Sequence, residues 1–121
     1  MIVVFISSPY SLPEGERQFN VVRQLEAADK LMNLGYCPVV PLFSHYQHEL
    51  FPRPYSDWMR IDLEKIRRCD VVLRLPGESA GADQETEHAR MLGIPVVFSI
   101  EELQALKVKD VFERKENELA H

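Results

Sequence analysis

The sequence predicts a small α/β protein: a flavodoxin-like or Rossmann-like three-layer sandwich around a mostly parallel sheet of four or five strands. Three observations carry that expectation. Short β-branched and aromatic runs alternate with longer stretches of helical period. The connections between them are short and punctuated by Gly and Pro. The strand runs are apolar throughout, as strands covered on both faces must be. Strand–helix–strand order with short links makes right-handed crossovers and parallel neighbours.

Ile2 to Ile6 reads as the first strand, ended by Ser7-Ser8-Pro9. A helix follows from about Glu16 to Leu34, with Val22, Leu25, Ala28, Leu31 and Met32 at helical spacing and Gly35 as its stop. Cys37 to Leu42 is a second strand, its Pro38 and Pro41 near the ends, where a lost N–H matters least. Ser44 to Tyr55, rich in His, Pro and aromatics, reads as an irregular loop, and Ser56 to Arg68 as a second helix. Asp70 opens the strand Val71 to Leu75; Gly77 to Gly81 is a turn; a third helix covers Ala82 to Leu92 and stops at Gly93. Pro95 to Ser99 is a fourth strand, followed by a short helix from Glu101 to Leu106.

At 121 residues the chain has room for one domain, expected over 1–106, with 107–121 a charged terminal helix or arm. A 45% apolar, 27% charged composition excludes collagen-like and disordered classes. No apolar run approaches the ~20 residues of a membrane span, and MIVVFISSPY lacks the basic start of a signal peptide. Acidic residues outnumber Lys and Arg for a net charge of −5, so a nucleic-acid polymer is not an expected partner. Cys37 and Cys69 read as reduced thiols in a cytoplasmic protein, packed as small hydrophobes.

In parallel sheets ligands bind beyond the carboxyl ends of the strands, where the strand order reverses. That rule selects the loops Ser7 to Gly15, Phe43 to Asp57 and Pro76 to Ala82. None carries GxGxxG, GxxxxGK[ST] or GxSxG, so dinucleotide, Walker-type and hydrolase-elbow sites are unsupported. His45, His48 and Glu49 lack a further cluster to complete a metal shell, and read better as a polar lid; no metal or cofactor is expected.

The most informative segment runs from Pro76 to Ala89. It leaves a strand, turns through Gly77 and Gly81, and enters a helix whose free amides attract anions. Glu85 lies one turn in, with Ala89 and Gly93 beneath it at i+4 and i+8; that small-residue stripe is expected to pack on the sheet and aim Glu85 over the strand ends. Glu87, about 200° further round at ~100° per residue, should face water. The helix dipole favours an ionised Glu85, fit for nucleophilic attack. Spacing alone leaves open whether Glu85 attacks a substrate or only complements the dipole. Asp62 and Asp70 fit a solvated helix face and a strand-start cap.

The motifs Ser8-Pro9-Tyr10, Cys69-Asp70-Val71-Val72-Leu73-Arg74-Leu75-Pro76-Gly77 and Ser79-x-Gly81-Ala82-x-x-Glu85-x-x-x-Ala89-x-x-x-Gly93-Ile94-Pro95-Val96 resemble those of the nucleoside 2-deoxyribosyltransferase superfamily. More closely they resemble a small branch of it, the DUF4406-like domains of unknown function. The resemblance spans about residues 2 to 99. It implies cleavage or exchange of the N-glycosidic bond of a nucleoside or nucleoside 5′-monophosphate. Glu85 would be the nucleophile, and Asp62, eight residues before Asp70, would contact the sugar or assist protonation of the base. Tyr10 would orient the nucleophile and Ser79 would bond a 5′-phosphate. Ser7, Ser8, Pro9, Gly77 and Gly81 complete the expected substrate-binding loops. The resemblance also implies a homodimer in which the loop Phe43 to Trp58 closes a neighbour's pocket. The acidic run Asp83 to Glu87 would repel a phosphate unless Arg17, Arg53 or Arg60 offsets it. The alternative is a non-catalytic nucleotide-binding or sensor domain; a third possibility is an assembly subunit.

Overall fold

The computed structural model describes residues 1–10 and 17–106; the expected tail and part of the first loop lie outside them. The chain runs β1 (Val3–Ser7), α1 (Arg17–Asn33), β2 (Cys37–Val39), a 3₁₀ turn (Pro41–Phe43), α2 (Ser44–Leu50), α3 (Tyr55–Arg67), β3 (Val71–Arg74), α4 (Ala80–Met91), β4 (Val96–Val97) and α5 (Ile100–Ala105). The described strands form one four-stranded sheet in the order β2-β1-β3-β4, every neighbouring pair parallel.

Period-two alternation divides the strand side chains between two cores. Val4, Ile6, Val71 and Leu73 meet Ala27, Ala28 and Leu31 of α1 and Leu103 of α5. Phe5 and Val72 face the other way, onto Ile66 of α3 and Ala89 of α4. Both sides of β1 and β3 are therefore dry, which is why these strands carry no polar alternation. Cys69 is buried and Cys37 half-buried, and no disulfide joins them.

Three expectations need correction. The stretch from Ser44 contains the helix α2, because Pro41 starts a 3₁₀ turn that the chain continues without a break. The buried face of α1 is Asn20, Val21, Gln24, Ala27, Ala28 and Leu31. Val22 and Met32, expected inside, are 49% and 63% exposed, because the polar Gln24 rather than an apolar residue sits at the centre of the contact. Gly81 lies inside α4, whose N-cap is Ser79, and Gly93 follows its last turn at φ 75° instead of extending a stripe on the sheet.

Asp70 belongs to the fold. Its Oδ2 accepts the Val3 amide at 2.8 Å, while its own N–H donates to the Val3 carbonyl at 2.9 Å. The pair locks the amino ends of β1 and β3, opposite to the carboxyl edge of the sheet. Asp70→Ala leaves the partly buried Val3 amide without that acceptor and should cost about 1–3 kcal/mol. Urea denaturation would read this as a lower midpoint with an unchanged slope.

Candidate active site

Parallel pairing places the carboxyl ends of β1 and β3 side by side, where the order reverses from β2 to β3. Ser7, the last residue of β1, is fully buried, and its hydroxyl donates to Glu85 Oε1 at 2.9 Å. Ala82 O lies 3.4 Å from the same hydroxyl, so Ser7 fixes both the first turn of α4 and its carboxyl. Glu85 is only 6% exposed. Ala82, Thr86 and Ala89 share its buried face, and Glu87 faces water as expected.

α3 packs beside α4 and brings Asp62 into hydrogen-bond contact with Glu85. Burial first, then the Asp62 charge, push the Glu85 carboxyl up to about 8, against the opposing pull of the Ser7 hydroxyl and Arg74. Burial also raises Asp62, to about 6, while its hydrogen bond from Glu85 and the charge of Lys65 work the other way. Both carboxyls are thus held above the ordinary carboxylate range, Glu85 the more strongly, and the pair favours sharing a proton. This corrects the expectation of a resting, ionised Glu85. Removing a carboxylate from water beside a like charge outweighs the partial charge of a helix end.

The pair lies on the wall of a cavity of about 700 Å³. Ser8 contributes to that wall and accepts a hydrogen bond from Gln24 Nε2 at 2.8 Å. Ser79 also reaches the wall, its Oγ accepting the Ala82 amide at 3.1 Å and leaving its proton to donate. Tyr55 stands over α4: a Cβ on Gly81 would come within 2.7 Å of the Tyr55 hydroxyl, so any larger residue there would push the Tyr55 ring aside. Burial, Glu85 and Asp62 together raise the Tyr55 phenol. Trp58 Nε1 donates to His48 Nδ1 at 2.8 Å, which leaves the proton of a neutral His48 on Nε2. Arg17 and Arg53 line the cavity, whereas Arg60 does not.

The residues expected from sequence separate into two groups. Glu85, Asp62, Tyr10, Ser8, Ser79 and Gly81 share the cavity wall. Ser7, Pro9 and Gly77 lie outside it. Ser7 acts from behind Glu85. Pro9 and Gly77 pack on one another, Gly77 at φ 122° with room for no Cβ, since one would lie 2.8 Å from Pro9 Cγ. The Tyr10 hydroxyl meets His45 Nδ1 at 2.5 Å, so the hydrogen bond that orients Glu85 comes from Ser7 instead. His45 and His48 turn to different partners and do not act as a ligand pair. Among the described residues no three His, Cys, Asp or Glu side chains gather as a metal site.

Gln24, Tyr55, Trp58 and Arg74 escaped the sequence reading. Arg74 is 8% exposed; its guanidinium donates to the Leu75 and Gly77 carbonyls and lies 3.4 Å from Asp83, bracing the loop into α4. An arginine ending an otherwise apolar strand was the available signal. Gln24 carried a similar one, a single amide within the helical apolar period.

A structure of the 2-deoxyribosyltransferase from the psychrotolerant bacterium Bacillus psychrosaccharolyticus superposes with a TM-score of 0.58 over 90% of this chain and 95% of that one. The two share 15% identity, so the likeness is one of fold. No curated protein matches the sequence. No described helix is long and apolar enough to cross a membrane. The model of the DUF4406 family, a domain of unknown function, matches residues 2–98, and with most of its length inside that match the chain belongs to the DUF4406 family.

Proposed function

We propose that this protein cleaves, or transfers across, the N-glycosidic bond of a nucleoside or nucleoside 5′-monophosphate, with Glu85 as nucleophile. The observation that carries the reading is the pairing of the buried Glu85 with the half-buried Asp62 on the wall of a nucleoside-sized cavity. Two carboxyls sharing a proton are suited to a reaction that needs one ionised and one neutral group. Glu85 passes its proton to Asp62 and becomes the attacking carboxylate, held by the Ser7 hydroxyl. Asp62, now neutral, donates a hydrogen bond to a sugar hydroxyl. The positive charge that develops on the sugar stabilises the Glu85 anion as it forms. Glu85 Oε then bonds to C1′ while the C1′–N bond breaks, and water or a second base releases the sugar.

Arg17 and Arg53 supply the positive charge a 5′-phosphate would need beside Glu78 and the Ser79 hydroxyl. α2 supports a dimer: Ser44, His45 and His48 line the cavity, while Phe43, Leu50 and Phe51 at its ends are exposed. A second copy seated there would cover the cavity and bury those apolar side chains.

The test follows free base by chromatography from nucleosides and their 5′-monophosphates, with and without an acceptor base. A 2-fluoro-arabinosyl analogue should leave a mass adduct on Glu85. Saturable binding with neither turnover nor adduct would overturn the enzymatic reading and leave a nucleotide-binding domain.

A further inference from the structure

Outside the carboxyl pair, one chain of polar groups on the cavity wall has no part in the reaction as described. Tyr10 Oη lies 2.5 Å from His45 Nδ1, and His45 Nε2 lies 3.0 Å from Glu49 Oε1. His45 is 5% exposed, Glu49 is 55% exposed, and Tyr10 borders the cavity. The three therefore run from the cavity, through a buried ring, to solvent. The Glu49 carboxylate lies at ion-pair distance from Nε2 without a hydrogen bond between them, and its negative charge favours a proton on that nitrogen. Nδ1 is then the atom whose proton changes, and Tyr10 Oη is the group it exchanges with.

We propose that Glu49, His45 and Tyr10 form a proton relay that protonates the leaving base, with Tyr10 the catalytic acid and His45 and Glu49 acting through it. The inference rests on the glycosidic reading above. Its placement suits that chemistry, because displacement at C1′ needs its acid away from the nucleophile. The carboxyls come from α3 and α4, whereas Tyr10 and His45 come from the first loop and α2.

The protons balance. As the C1′–N bond breaks, its electron pair goes to the base nitrogen, which takes the Tyr10 Oη proton. Oη takes the proton from Nδ1 of the charged His45, leaving that ring neutral beside Glu49. When water opens the glycosyl ester at C1′, the bonding pair returns to the Glu85 carboxylate. The water's proton travels back through Oη to Nδ1, and the cycle closes. Arg17, with its guanidinium carbon 5.6 Å from the Tyr10 ring centre, favours the transient phenolate, while burial and Glu49 oppose it. The edge-on Tyr46 ring packs against His45 and holds its plane.

A leaving-group comparison tests the relay. Tyr10→Phe and His45→Gln are assayed on a nucleoside and on the corresponding 4-nitrophenyl glycoside, whose phenolate leaves without a proton. The relay predicts a loss of about 10²-fold or more on the nucleoside and no more than about threefold on the nitrophenyl substrate. Tyr10→Phe keeps the ring packing, so it retains the test should His45→Gln fold poorly. Equal losses on both substrates, or no loss on either, would overturn the relay and leave the Glu85 mechanism standing. Wild-type protein that releases neither leaving group would overturn the glycosidic reading and the relay with it.

Discussion

Glu85→Gln is expected to reduce base release by about 10³-fold or more, since the substitution removes the proposed nucleophile, while the folded protein becomes more stable in mild alkali. The two effects have one cause. The substituted carboxamide would keep the shape of the protonated carboxyl, accept from Ser7 through its oxygen and donate to Asp62 through its nitrogen. In the wild type the Glu85 carboxyl titrates near 4.5 when exposed and near 8 when folded. Between those values the native state holds more protons than the unfolded chain, so stability falls as pH rises. Asp62 adds a loss in the same direction between 3.8 and about 6. Above pH 8 the full cost is present and the curve levels. Glu85→Gln removes the Glu85 part and should stabilise the protein by roughly 3–5 kcal/mol at pH 9, with little gain at pH 4. Chemical denaturation at the two pH values measures it. Equal stability of the two proteins at pH 9 would show that the Glu85 carboxyl ionises without penalty, contrary to its burial.

Gln24→Leu should give the largest loss of stability among the changes considered. Gln24 is fully buried and saturates three groups at once. Its Nε2 donates to the Ile6 carbonyl at 3.0 Å and to Ser8 Oγ at 2.8 Å, and its Oε1 accepts the Leu42 amide at 2.9 Å. Leu fills a similar volume but satisfies none of them. With the Leu42 amide stranded and two further partners loosened, the expected cost is about 2–4 kcal/mol. Thermal melts should show it as a lower midpoint. Because Ser8 borders the cavity, substrate binding should weaken in the same variant. A variant as stable as wild type would mean that water replaces the amide.

The strands and most helices were legible because burial on both faces leaves an unbroken apolar run and one-sided burial leaves a helical period. β1 and β3 were read to within about a residue. The errors arose where polar side chains occupy interior positions. The face of α1 was misjudged because Gln24 looks like a surface residue until its three partners are known. α2 was missed because His45 and His48 do not form an apolar stripe.

The site was readable in part. The position of Glu85 followed from helix spacing beside a glycine-rich turn, whereas the role of Asp62 rested on a family pattern. No local rule places Asp62 of α3 against Glu85 of α4, or Ser7 of β1 behind both. These contacts join residues far apart in the chain, and they form only when the sheet brings the two strand ends and the two helices together.

The amino-acid sequence by itself determined the layered parallel architecture and the placing of Glu85 at the carboxyl edge of the sheet. Hydrophobic period and turn residues are local properties, and these features depend on little else. Tertiary structure alone decided which carboxyl meets Glu85, which hydroxyl holds it and where Tyr10 points. A charge responds to the dielectric and the neighbours around it in space, and those are properties of the folded chain.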